Sequence, residues 1–215
     1  EGRNRLGGSA LAQAFGQIGD DSPDVDNPSL LISAFDVVQR MMDDGLILAC
    51  HDRSDGGLIT TLAEMAMAGN CGISIQLTDK EEVIPQLFCE ELGLVIEYLA
   101  ADEKLVQGIL GEYGVPFVIL GNTEREKRVI IRHGNRIALN IGTVELLSWW
   151  ETTSDRLEEE QMNPVVARER VQYHNRSGLR YQLTFEPGAT PPEILHRTDK
   201  PKVAIIREEG SNADR

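Results

Sequence analysis

Cysteine is scarce in this chain, with three in 215 residues. Cys50, Cys71 and Cys89 are odd in number and form no C-x-x-C pair, which excludes a zinc ribbon or a closed disulfide framework and fits a reducing, cytoplasmic setting. None has the surroundings of a nucleophile either. Cys50 lies in an apolar stretch, Cys71 follows the end of a predicted helix, and Cys89 precedes Glu90 and Glu91, whose charges oppose a thiolate. The four histidines include no pair at a metal-binding interval. No apolar run approaches the roughly eighteen residues of a membrane-spanning helix, and no signal-peptide pattern is present. Walker loops, dinucleotide fingerprints and solenoid-spaced repeats are missing too. Basic side chains are outnumbered, 21 against 35 acidic ones, so the net charge of −14 disfavours nucleic acid phosphates and anionic lipid over most of the surface.

What is present is globular: 41% hydrophobic and 26% charged residues, enough for a core without staples. Ser9 to Ile18 reads as a short helix closed by Gly19 and an acidic turn. Asn27 as N-cap and Pro28 in the first turn open a second helix, in which Leu30, Leu31, Ala34, Val37, Val38 and Met41 recur at helical spacing until Gly45. Leu46 to Cys50 predicts a strand, and Leu58, Leu62, Met65 and Ala66 mark a third helix ending near Gly69-Asn70. Strands follow at Gly72 to Leu77 and Leu92 to Leu99, separated by a short helix from Glu81 to Phe88. Asp102 is placed to cap a helix carrying Leu105, Val106, Ile109 and Leu110, which Gly114 ends. Three strands, Pro116 to Leu120, Arg128 to Arg132 and Arg136 to Ile141, come next, the last two joined by a His133-Gly134-Asn135 hairpin. Thr143 to Gln161 reads as a helix broken by Asn163-Pro164. From there to residue 200 the prolines argue for an extended linker. Arg168, Arg170, Arg176 and Arg180 make its first part basic, which suits a solvated face against a neighbouring domain or, less commonly, an anion pocket.

The chemically richest stretch is His51-Asp52-Arg53-Ser54-Asp55-Gly56-Gly57, between a strand and a helix. Such a turn offers free backbone N–H groups and a positive dipole end to an anion. Asp52 and Asp55 would repel a bare phosphate, but a hard cation such as Mg²⁺ between carboxylate and phosphate oxygens reconciles them, and a magnesium nucleotide is the economical ligand. A plain capping role stands beside this: Ser54 or Asp55 as N-cap, the glycines closing the turn, and Asp52 bonding a backbone amide. His51 is equally open between packing residue and ligand.

Four segments taken in order carry a resemblance: Leu6-Gly7-Gly8-Ser9-Ala10-Leu11, His51 to Leu58, Phe88-Cys89-Glu90-Glu91-Leu92-Gly93, and Lys202 to Gly210. Together they resemble the large, single-chain phosphoribosylformylglycinamidine synthase family, within the aminoimidazole-ribonucleotide-synthetase superfamily. The resemblance implies an α/β (α+β) fold, a mixed and mainly antiparallel sheet with covering helices, over residues 1–145. It further implies a helix and linker over 146–200 and, at 201–215, the truncated start of a glutamine amidotransferase domain, its first strand at Val203 to Ile206. The chain then reads as a piece of a larger protein. Such enzymes convert formylglycinamide ribonucleotide, ATP and glutamine-derived ammonia to formylglycinamidine ribonucleotide, ADP, phosphate and glutamate in purine biosynthesis. By the same resemblance Asp52 is a Mg²⁺ ligand and Ser54 a contact to ATP or ADP, at either a catalytic or a structural nucleotide site, with Asp55 a weaker candidate. Glu90 is left as structural. Partners are the remaining domains of the chain, the glutaminase domain included, with no nucleic acid and no membrane. Arg53 and Cys89 depart from the small residues expected there. A kinase or selenophosphate-type synthetase of the same superfamily, or a non-catalytic domain that holds others together, are the alternatives.

Overall fold

A computed structural model describes residues 2–172, 181–199, 201, 202 and 204. Two compact units divide the chain, Glu1–Arg176 and Ser177–Arg215. In the first, helix α1 (Ala10–Ala14) and helix α2 (Pro28–Asp43) precede strand β1 (Ala49–Asp52) and helix α3 (Gly57–Ala68). Strand β2 (Gly72–Leu77), helix α4 (Val83–Phe88), strand β3 (Leu94–Glu97) and helix α5 (Glu103–Glu112) follow. Strands β4 (Gly121–Glu124), β5 (Arg128–His133) and β6 (Arg136–Gly142) then lead into helices α6 (Thr143–Gln161) and α7 (Pro164–Gln172).

Period-two alternation builds the larger sheet, ordered β4-β2-β5-β6, in which β2 and β5 run parallel and the other pairs antiparallel. Its register aligns Ile73, Val129 and Ile141 in one row and Ile75, Ile131 and Leu139 in the next. These rows face Leu58, Leu62 and Ala66 of α3, with Leu87 of α4 closing the cluster. The sheet is therefore mixed and mainly antiparallel, as expected. A second cluster joins Val37 and Met41 of α2 to Val106, Ile109 and Leu110 of α5, and Ile96 of the two-stranded β1–β3 ribbon packs on it. Asn27 caps α2 as its sequence demands, accepting from Leu30 N at 3.1 Å, with Pro28 in the first turn.

Several boundaries differ from the sequence reading. Strand β1 begins at Ala49, because Leu46 and Ile47 pack into the α2–α5 cluster, and it runs on through His51 to Asp52. Its register sets Asp52 opposite Leu94. The apolar run Pro116 to Leu120 is no strand: only its last residue meets the sheet, Leu120 O accepting from Gln76 N, and pairing proper starts at Gly121. Helix α1 stops at Ala14 rather than Ile18. Asp102 stands at the N-cap of α5 without a side-chain capping bond. Residues 164–172 are helical where an extended linker was expected, α7 packing on α6 with Ala167 buried.

In the second unit the described residues contain one short helix, α8 (Pro192–Leu195). Arg168 pairs with Glu159 at 3.1 Å, a solvated ion pair. Arg176, Arg180, the side chain of Arg170 and, of the predicted strand at Val203 to Ile206, all but Ala204 lie outside the described residues.

Candidate functional site

Strand β1 delivers Asp52 at its last position, and the chain turns through Arg53 to Gly56 into α3. Two consecutive left-handed residues make the turn, Gly56 at φ 81° and Gly57 at φ 72°. Gly57 N donates to Ser54 O at 2.9 Å, closing it. The capping role considered for Ser54 or Asp55 is not what the structure holds: Gly56 is the N-cap, with no side-chain capping bond, and both side chains are exposed. Asp52 likewise points to solvent, its side chain 66% exposed, with Oδ1 3.4 Å from His51 Nδ1.

The backbone of Asp52 is firmly held although its carboxylate is not. Its carbonyl accepts from Thr61 Oγ1 at 3.0 Å, and His51 Nδ1 lies 2.7 Å from the same oxygen. His51 Nε2 faces Glu64 Oε2 at 3.1 Å, and Glu64 Oε1 accepts from Trp150 Nε1 at 3.3 Å. His51 thus bridges the strand end to α3 and, through Glu64, to α6.

The segment after α4 is the bracket for this loop, which composition and spacing did not reveal. Arg53 N donates to Gly93 O at 2.8 Å and Arg53 Nε to Glu91 O at 2.6 Å. A Cβ on Gly57 would lie 2.7 Å from the carbonyl oxygens of Leu87 and Cys89, so the loop rests directly on that segment. Cys89, fully buried, donates its thiol to Asn4 Oδ1. Arg53 and Cys89, the two departures from the family pattern, are therefore both committed to scaffolding.

One expectation is narrowed. Of the free backbone N–H groups expected at the turn, that of Gly56 is taken: it donates to Glu90 Oε1 at 2.8 Å, and the same oxygen accepts from Ala10 N at 2.8 Å. A side-chain carboxylate already sits where a ligand anion was expected. The side chains of Asp52, Ser54 and Asp55 face outward, where a ligand can reach them.

Among the described residues no group of three or more His, Cys, Asp or Glu is arranged to hold a metal ion. Asp52 fits Mg²⁺ on other terms: it is a hard, solvent-facing oxygen donor, and Mg²⁺ is commonly held by one or two carboxylates together with phosphate oxygens and water. The described depressions lie elsewhere, one at Thr78 to Lys80 beside Gly134, the other between Leu6, Phe15, Ile18 and Ile84. Burial pushes the thiols of Cys50 and Cys71 up, Asp52 adding to the first and Glu97 to the second, so neither favours a thiolate.

Comparison with known proteins follows the same outline. The family described as "AIR synthase related protein, C-terminal domain" matches residues 2–134. A phosphoribosylformylglycinamidine synthase of Dictyostelium discoideum is 39% identical over 99% of the chain. The Homo sapiens protein of that name is 40% identical over all of it, and an Arabidopsis thaliana protein called a probable phosphoribosylformylglycinamidine synthase, chloroplastic/mitochondrial, is 41% identical. The chain spans 15–18% of the length of these relatives. Among solved structures, Thermotoga maritima PurL complexed with ATP superposes with a TM-score of 0.53 at 16% identity, over 67% of this chain and 24% of that one. A crystal structure of phosphoribosylformylglycinamidine synthase II from the same organism gives 0.52 at 14% identity over 87% of this chain and 27% of the other. At such identities the likeness is one of fold.

Proposed function

The chain belongs to the AIR synthase related protein family, as its C-terminal domain, and from that premise we propose that it is a piece of a phosphoribosylformylglycinamidine synthase that contributes Asp52 and Ser54 to a magnesium nucleotide site. The observation that carries the reading is the solvent-facing carboxylate of Asp52 at a strand end, with Ser54 on the adjoining turn. Relatives of that name, about 40% identical across the whole chain, support the identity of the parent.

The parent joins glutamine-derived nitrogen to formylglycinamide ribonucleotide with ATP, releasing ADP, phosphate and glutamate. Mg²⁺, when bound, offsets charge on the phosphate oxygens. The chain's own residues do the holding. Asp52 supplies one carboxylate, on a backbone whose carbonyl is held by a single bond from Thr61. Ser54 presents a hydroxyl on a turn whose shape two glycines set. His51, tied to Glu64, keeps the strand end against α3. No side chain here is set to abstract a proton, and the thiols do not serve as glutaminase nucleophiles. The remaining domains of the parent, a glutaminase domain included, supply the rest of the site, and the three free cysteines suit a reducing compartment such as the cytoplasm.

The test is turnover by the full-length protein. Glutamine-dependent conversion of formylglycinamide ribonucleotide, with one ADP released per product, is expected, and residues 1–215 alone should release no glutamate from glutamine. A full-length protein that phosphorylates a small acceptor without consuming glutamine would overturn the assignment in favour of a kinase or selenophosphate-type synthetase.

A further inference from the structure

Glu90 follows α4, and one of its oxygens ties together two segments far apart in the chain. Oε1 accepts from Gly56 N, at the end of the Asp52 loop, and from Ala10 N, the first residue of α1, each at 2.8 Å. The acceptor is needed because of what lies beside it. Gly56 and Gly57 both have positive φ, and a pair of such glycines is the most conformationally permissive dipeptide the chain could place there. The Leu87 and Cys89 carbonyls pack on Gly57 from one side but accept no bond from the turn. Glu90 supplies the bond, charge-assisted and at a helix start where a negative group is favoured.

We propose that Glu90 is a positioning residue for the nucleotide site: it touches no ligand, but by holding Gly56 N it sets where the turn places Ser54 relative to Asp52, whose own backbone is held by β3 and Thr61, and by holding Ala10 N it makes the Leu6 to Ser9 segment move with the turn. This rests on the reading of Asp52 and Ser54 as nucleotide-site residues. The ion pair of the adjacent Glu91 with Arg5 anchors the N-terminal segment independently, so loss of Glu90 leaves that tether in place and takes from the turn only the bond to Gly56 N, the closure by Gly57 N and Ser54 O remaining.

The experiment uses the full-length protein stripped of nucleotide, with magnesium ADP binding, KM for ATP and melting temperature measured for Glu90→Ala, Glu90→Gln, Glu90→Asp and Asp52→Asn. Removing the acceptor in Glu90→Ala should weaken magnesium ADP binding about tenfold or more, the scale of a lost charge-assisted bond. Gln keeps an oxygen in place and should restore binding to within about threefold. Asp keeps the charge but is one methylene short of both amides, and should resemble Ala if it folds. A purely structural role would lower the melting temperature in Glu90→Ala while folded protein binds magnesium ADP as the wild type does; that result overturns the proposal. Equal binding by Glu90→Asp and wild type overturns it as well, and does so even if Glu90→Ala fails to fold. Asp52→Asn separates the two levels: if it leaves magnesium ADP binding unchanged, the nucleotide reading itself fails; if it weakens binding while Glu90→Ala does not, only the role of Glu90 falls.

Discussion

Arg5 and Glu91, 86 positions apart, meet as a buried pair in which Arg5 Nε donates to Glu91 Oε1 at 2.6 Å and Nη2 to Oε2 at 3.0 Å. Arg5 N adds a third bond to Oε1, and Asp26 takes the outer edge of the guanidinium at 3.0 Å. The pair fastens the N-terminal segment to the same stretch, residues 88–93, that brackets the Asp52 loop. Two motifs distant in sequence thus share one foundation, held in part by a buried ion pair.

That pair predicts an acid-labile fold. Hydrogen bonding from Arg5 holds the Glu91 carboxyl below the usual carboxylate range, against the opposing effect of burial. A depressed folded value means that the unfolded chain takes up the proton first as pH falls. The stabilisation from Glu91 is therefore complete above the ordinary Glu value of about 4.3 and is lost as pH drops from there through the folded value. Melting temperatures measured from neutral pH downwards should fall steeply in that acid window for the wild type. Glu91→Gln should melt lower at neutral pH but with a shallower acid slope; an unchanged slope would show that other carboxylates dominate.

Periodicity made the elements with one well-defined buried face legible. Helix α2 and strand β2 lie where the sequence places them because the Asn27 cap of the one and the apolar spacing of both are local properties. The apolar run at Phe117, Val118 and Ile119 failed as a strand for the opposite reason: it has β-forming residues but no neighbouring strand to receive their hydrogen bonds. At the site, the residue types of the Asp52 loop were readable, and resemblance singled out Asp52 and Ser54. The bracket was not readable, because Glu90, Glu91, Arg53 and Arg5 act through contacts between segments that no local pattern encodes. A Phe-Cys-Glu-Glu stretch looks like an ordinary helix end until its carboxylates are seen meeting Gly56, Ala10 and Arg5. Helix α7 was hidden in the same way, since a weakly amphipathic segment between prolines gains its order from packing on α6.

The two glycines of the loop should differ sharply in tolerance. Gly57→Ala sets a Cβ 2.7 Å from the backbone carbonyl oxygens of Leu87, in α4, and Cys89, just after it, so that main chain would have to shift. The atoms nearest a Cβ on Gly56 belong to the Thr60 side chain, whose hydroxyl can rotate away. Both suffer the left-handed backbone, at about 1–3 kcal/mol each. Denaturant titration should find Gly57→Ala the more destabilised of the two, and equal losses would mean that conformational strain alone decides.

The adjacent methionines of α2 offer a test of the second core cluster. Met41 is fully buried against α5, whereas Met42 is 54% exposed on the next face. Met41→Ala should cost about 2–5 kcal/mol, the range for emptying a packed site, and Met42→Ala well under about 1 kcal/mol. Comparable losses in urea unfolding would indicate that the outer face of α2 is covered in solution.

The last prediction concerns the charge on Asp52. Asn preserves its shape, its backbone bond from Thr61 and one outward oxygen, but removes the charge that would balance a divalent cation. In the full-length protein Asp52→Asn should therefore weaken magnesium-dependent nucleotide retention while glutamate release from glutamine persists. Ser54→Ala, which deletes one exposed hydroxyl, should act in the same direction but more weakly, and without changing the dependence on magnesium concentration. If the loop serves a structural nucleotide, retained nucleotide and melting temperature fall together, because a ligand bound only by the folded state stabilises it in proportion to its occupancy. If it serves the catalytic one, ATP-dependent turnover collapses with little change in melting temperature. Unchanged nucleotide content, melting temperature and turnover in Asp52→Asn would reduce the loop to a strand-to-helix turn, braced by Glu90 and Arg53 for packing alone.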